Sequence, residues 1–168
     1  MAKPWSSLSS LNVDCRWFKG DVPCSPHKLH GVHCIDEQGH VCEHYGPITS
    51  DILIIKLGAV GDIIRTTPLL RRLKELYPQA RIWWLTHTPE VVPKIVDVVL
   101  RFTPQSLAIV TATYFDMVFN LEKDREACAL LSTLSARIKK GFTLNNGMPV
   151  PIDSDAEGKY MTGVFDHR

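Results

Sequence analysis

The chain has 168 residues, 45% of them hydrophobic and 22% charged, an ordinary composition for a globular protein with room for one core and a small appendage. Nineteen Lys and Arg against eighteen Asp and Glu leave a formal charge of +1, which gives no support to a nucleic-acid polyanion as partner. Apolar runs such as Ile52–Ile55 and Val98–Leu100 are too short to span a bilayer. The opening Met1-Ala2-Lys3-Pro4-Trp5 lacks the apolar stretch of a signal peptide, so a cytoplasmic, reducing location is the expectation.

Residues 1–50 are rich in Cys, His, Gly and Pro and show no sustained apolar period. Such a segment builds no core of its own and needs a staple or a host to pack against. Cys15, Cys24, Cys34 and Cys42 are separated by eight, nine and seven residues, with His27, His30, His33, His40 and His44 interspersed. In a reducing compartment this reads more readily as a structural zinc site than as disulfides. The four cysteines are the expected ligands, with His33 able to replace one. Four protein ligands would leave no open position for a catalytic water. Free thiols, a redox cluster and an iron–sulfur site are the competing readings.

From residue 51 the pattern alternates strands and helices. Ile52–Leu57, apolar except for Lys56, predicts a strand covered on both faces. Leu69, Leu70, Leu73, Leu76 and Tyr77 recur at helical spacing, with Pro68 in the first turn and Pro78 at the end. Strands follow at Arg81–Thr86 and Asp97–Phe102, and a short helix at Thr88-Pro89-Glu90 lies between them. Gln105–Tyr114 reads as a helix, Phe115–Leu121 as a strand, Glu126–Ser135 as a helix and Ala136–Phe142 as a fifth strand. Right-handed βαβ units and a doubly wound parallel sheet over residues 51–142 follow, Rossmann-like in class. Over 143–168 the pattern fades into a loop and a last element that starts and stops, which reads as a truncated chain.

In such a sheet, ligands gather at the carboxyl ends of the strands beside the first strand–helix turn, here Gly58-Ala59-Val60-Gly61. The turn lacks the Gly-Lys-Ser/Thr of a P-loop and the three glycines of a dinucleotide fingerprint, and the second strand ends without an acid. Asp62 has two readings: an acid favoured at a helix N-terminus, or a general base at the mouth of the sheet. Lys56 either snorkels from its strand or touches ligand. Cys128 reads as a buried thiol, and Trp83 and Trp84 as packing residues on opposite faces of a strand.

The segment ILIIKLGAVGDIIRTTPLLRRLKELYPQARIWWLT, with FDMVFNLEKD downstream, resembles the opening of the bacterial lipopolysaccharide heptosyltransferase family over residues 52–142. Shared are the apolar strand with its lysine, the small-residue turn, Gly-Asp with an aliphatic pair, and the Thr-x-Pro-x-Leu helix. The resemblance implies a GT-B glycosyltransferase of two Rossmann-like domains, of which this is the acceptor-side one. The second, donor-binding domain would lie outside this chain and hold an ADP-heptose-like nucleotide sugar. It further implies that Asp62 is the general base of an inverting, metal-independent transfer and that Gly58 and Ala59, with Gly61 closing the turn, lie beside the acceptor.

Two departures concern that acceptor. Gly58 and Ala59 stand where the family tends to carry hydroxyl residues, and Arg65 stands where it commonly has His. Arg65 reads either as a bidentate holder of an anionic acceptor group or as a solvated helix charge. The implied acceptor is a glycan or lipid-linked sugar, and a lipid-linked one would bring peripheral association with the inner face of the cytoplasmic membrane. The alternatives from other classes are a non-catalytic Rossmann-like binding module and a zinc-dependent interaction protein.

Overall fold

The computed structural model describes residues 11–36, 38–58 and 60–164, and the chain divides into two units, Met1–Thr49 and Ser50–Arg168. In the first, helix α1 (Ser25–His30) ends on Gly31, whose φ of 69° is the left-handed C-terminal stop that glycine adopts without strain. A small antiparallel turn follows, with Ile35 bridged to Val41 and the Cys42 N–H donating to the Cys34 carbonyl at 2.9 Å. The Asp36 carboxylate accepts the backbone N–H groups of His40 and Gln38, which hold its pKa below the ordinary value. Cys15 is bridged to Pro47, and the Tyr45 hydroxyl donates to Asp14 at 3.0 Å. Among the described residues the only buried side chain of this unit is that of Pro26. Backbone hydrogen bonds and turns shape it, in keeping with its lack of apolar periodicity.

The second unit runs β1 (Ser50–Ile55), α2 (Val60–Arg65), α3 (Thr67–Leu76), β2 (Ala80–Thr86), a 3₁₀ turn (Pro89–Val91), β3 (Val98–Arg101), α4 (Pro104–Ala112), β4 (Tyr114–Asn120), α5 (Arg125–Thr133), β5 (Ser135–Asn145), β6 (Met148–Pro151) and α6 (Ser154–Val164). Its six strands form one sheet in the order β3-β2-β1-β4-β5-β6, parallel except for β6. This is the doubly wound α/β arrangement expected from the alternation of strands and helices.

Alternation along β1 splits the core between the two faces of the sheet. Ile52 and Ile54 pack with Ile63, Leu70 and Leu73 of α2 and α3; Leu53 and Ile55 pack with Val110 of α4 and with Ala127, Leu130 and Leu131 of α5. Each such side chain, taken from water, contributes about 1.5–3 kcal/mol. The chain breaks between α2 and α3 at Thr66, because Pro68 has no N–H to continue the helical ladder. Thr66 turns its hydroxyl back onto the Asp62 carbonyl at 2.8 Å.

At the amino ends of the strands, Asp51 accepts both Arg81 Nε (2.6 Å) and Nη2 (3.0 Å), together with Trp83 Nε1 (2.6 Å). Trp83 meets Phe115 edge-on at 5.7 Å, and Trp84 is fully buried on the other face, so both tryptophans are packing residues. Where the sequence pattern fades, β5 continues to Asn145 and turns through Asn146 (φ 48°) and Gly147 (φ 78°) into antiparallel β6. Two successive positive φ values mark the tight hairpin turn that Asn-Gly favours. Asp153 then starts α6: its Oδ1 accepts the Ala156 N–H at 3.0 Å while Oδ2 accepts that of Gly141 at 2.6 Å.

Candidate functional site

The order of the strands fixes where a ligand belongs. From β1 the chain winds outward to β2 and β3, and from β4 it winds the opposite way to β5, so a crevice opens at the carboxyl ends of β1 and β4. Two turns meet there. Lys56 follows β1 directly, and Glu122 lies two residues beyond β4. Pairing carries on past the strand, with the Leu121 N–H donating to the Ile55 carbonyl at 3.0 Å, and this sets Glu122 beside the β1 turn.

A single carboxylate oxygen organises the turn. Glu122 Oε1 accepts Lys56 Nζ at 2.7 Å, the Leu57 N–H at 2.9 Å and the Gly58 N–H at 3.0 Å. Both charged side chains are nearly enclosed, Lys56 at 9% and Glu122 at 12% exposure. A buried ion pair is stable only when its remaining donors and acceptors are also matched, and here two backbone amides complete the set. Among the described residues Glu122 Oε2 has no hydrogen-bond partner, and it is not fully enclosed.

Asp62 stands opposite, in the first turn of α2. It is the third residue of that helix rather than its cap, and its carboxylate meets Lys56 Nζ at 3.4 Å and Arg65 Nη1 at 3.7 Å. At 48% exposure it can reach a ligand from solvent. The Arg65 side chain is 84% exposed and carries little constraint beyond that contact. A Cβ placed on Gly58 or Gly61 would meet no atom within 4 Å, so open space adjoins the turn. Ala59 lies outside the described residues. Lys56, Gly58, Gly61, Asp62 and Arg65 thus share one end of the sheet.

Sequence reasoning missed the residues that come from β4. Asn120 is fully buried; its amide donates to the Phe142 carbonyl at 2.6 Å, and its Oδ1 accepts the Glu122 N–H at 3.1 Å. Cys128 closes the group, its Sγ 3.7 Å from Asn120 Nδ2 and 3.6 Å from the Glu122 carbonyl. Burial pushes this thiol's pKa up, with the Asn120 contact working the other way, so Cys128 is a packed, unreactive thiol. Gly141 presses on the same strand end: with φ at 100°, a Cβ there would lie 1.9 Å from the Asn120 carbonyl oxygen. A cavity of about 230 Å³ opens nearby between Asn120, Gly141, Phe142, Asp153, Ala156 and Lys159, and it includes neither Lys56 nor Asp62 nor Glu122.

The expected zinc site finds no support in the structure. Among the described residues no group of three or more His, Cys, Asp or Glu side chains is arranged to hold a metal ion. Cys24, His27, His33 and Cys34 line one cavity of about 270 Å³. Cys42 lies across the small turn from Cys34, and Cys15 sits at the bridge to Pro47. Tetrahedral zinc needs its ligand atoms converging at about 2.0–2.3 Å. The imidazoles pack in pairs, His27 with His33 and His30 with His44. Among the described residues no helix is long and apolar enough to cross a membrane.

No family model matches the chain, and no curated protein matches it. Among solved structures, it is similar to the glycosyl transferase family 9 from Veillonella parvula DSM 2008, at 20% identity and a TM-score of 0.47, over 57% of this chain and 32% of that one. It is similar to E. coli heptosyltransferase WaaC with ADP at 20% identity and a TM-score of 0.45, over 54% and 34% of the two chains. S. aureus TarJ in complex with NADPH aligns at 18% identity and a TM-score of 0.40, over 66% of this chain and 34% of that one. The alignments span about a third of the length of each of these proteins.

Proposed function

We propose that this chain is the acceptor-side domain of an inverting glycosyltransferase of the heptosyltransferase type. The observation that carries the reading is Asp62: a half-exposed carboxylate at the carboxyl end of a doubly wound sheet, beside the crevice between β1 and β4 and next to a turn with open space over its backbone. The resemblance of residues 52–142 to that family supports it.

In this reading an acceptor hydroxyl lies over the Gly58–Gly61 turn. Its oxygen attacks the anomeric carbon of an ADP-heptose-like donor held by a second domain. As the new C–O bond forms, the bond to the nucleoside diphosphate breaks, and the hydroxyl proton passes to an Asp62 carboxylate oxygen. Lys56 Nζ, 3.4 Å from the Asp62 carboxylate, holds it in place. The exposed Arg65 guanidinium is available to a glycan or lipid-linked acceptor bearing an anionic group.

The test is Asp62→Asn in the protein as expressed from its own gene, with heptose transfer followed by mass spectrometry of the acceptor. The expected result is a rate lower by about 10²–10⁴-fold with an unchanged unfolding transition, the range for loss of a general base. Transfer within a factor of three of wild type would remove Asp62 from the mechanism.

A further inference from the structure

The proposed reaction uses one carboxylate, yet the crevice presents two. Glu122 Oε1 is saturated by three donors, which fixes the side chain, while Oε2 has no partner among the described residues and is not fully enclosed. Lys56 Nζ has three hydrogens, and Glu122 and Asp62 occupy two of them. An acceptor oxygen and an ammonium hydrogen without partners among the described residues therefore belong to two side chains in direct contact, both largely buried.

We propose that Glu122 and Lys56 form a hydroxyl-recognition subsite that selects acceptors carrying a second hydroxyl next to the one that attacks. This rests on the acceptor-side reading of the site. The neighbouring hydroxyl donates to Glu122 Oε2 and accepts from Lys56, which matches one donor and one acceptor to a group having both. The Lys56 contacts of 2.7 and 3.4 Å bring the Glu122 and Asp62 carboxylate groups to within about 6 Å at their nearest oxygens, with Oε2 on the same carboxylate as Oε1. Two hydroxyls on adjacent ring carbons, each about 2.7 Å from its carboxylate, bridge such a span. The same geometry disfavours a phosphate or carboxylate at this point, because Lys56 is already neutralised by Glu122 and a second anion would face the open Oε2. An anionic acceptor group would have to lie on the Arg65 side of the turn.

A buried polar pair built to hold a hydroxyl rejects the analogue that lacks it, because its own atoms are then left unmatched. The experiment is titration of the ¹⁵N-labelled chain with methyl α-mannopyranoside, whose ring carries adjacent hydroxyls, and with its monodeoxy analogues. The amide resonances of Leu57 and Gly58 serve as the readout. The parent glycoside is expected to move both, and at least one deoxy analogue to bind tenfold or more weakly. In Glu122→Gln, which can still accept from the two amides, that preference is expected to fall at least fivefold while resonances remote from the turn stay in place. A purely structural role for Glu122 would leave the preference unchanged, and that result overturns the inference while leaving the acceptor-side reading intact. If no glycoside moves Leu57 or Gly58 in the wild-type chain, both fail. Should Glu122→Gln lose the native spectrum, Glu122→Asp, which keeps the charge and withdraws it by one methylene, reads the same preference.

Discussion

The Lys56–Glu122 pair can be tested as a unit by a double-mutant cycle. The two charges lie 2.7 Å apart and are about nine-tenths enclosed. At an effective dielectric of about 20, their attraction is about 6 kcal/mol before the cost of removing both from water is set against it. Removing one partner of such a pair costs about 3–5 kcal/mol, since the other charge is left buried, whereas replacing both by neutral groups is often close to neutral. Glu122→Gln retains an acceptor for Leu57 and Gly58, and Lys56→Met leaves the carboxylate with its two amide donors, so each single change sits near the bottom of that range. Each single variant is expected to lose about 3 kcal/mol, and the double variant about the same rather than the sum, a coupling of about 3 kcal/mol. Urea unfolding followed by circular dichroism, at constant m, measures all four corners of the cycle. Additivity within about 0.5 kcal/mol would show that the two groups do not interact in solution.

Two further outcomes follow from β5 and the start of α6. Gly141→Ala is expected to destabilise the chain by about 3 kcal/mol or more, because the new methyl would lie 1.9 Å from a carbonyl oxygen at a strained φ, and an unchanged urea midpoint would refute that close approach. For Asp153, burial works to raise the pKa but is outweighed by the Gly141 and Ala156 N–H groups and by Lys140, so the folded value lies below the ordinary one. A depressed folded pKa contributes stability that is present above the unfolded value, about 3.9, and is lost as pH falls through the folded value. Asp153→Asn should therefore lower Tm at pH 7, with the gap to wild type closing towards pH 2; a gap independent of pH would refute the linkage.

The parts of this fold that could be read from the chain are those governed by neighbours in sequence. The apolar runs pointed to the strands, and the Gly-x-x-Gly turn with Asp62 pointed to one side of the candidate site. Glu122 was not legible, because its partners lie 64 to 66 residues away and are joined to it only by strand pairing. The available signal was weak: an acid just beyond the carboxyl end of an apolar strand, at FNLE. The hairpin at Asn146-Gly147 was legible in principle, since Asn-Gly between extended residues is a strong turn signal, but the two prolines after it masked the strand. For the cysteines, spacing alone could not say whether four thiols converge, because that depends on turns formed by Gly31, Asp36 and Pro47 rather than on the cysteines themselves.

Those prolines have a consequence for how the molecule behaves in company. In β6, Val150 lies opposite Thr143 and Ile152 donates to the Gly141 carbonyl at 2.9 Å, so the even-numbered residues turn their backbone groups inward to β5. The odd positions, Pro149 and Pro151, turn theirs outward. An incoming strand would find carbonyls there and no N–H to accept from. At the opposite margin β3 is only four residues long and ends in a charged Arg101. The sheet is thus chemically closed to lengthening at one side and offers a short foothold at the other, a guard against polymerisation through strand exchange.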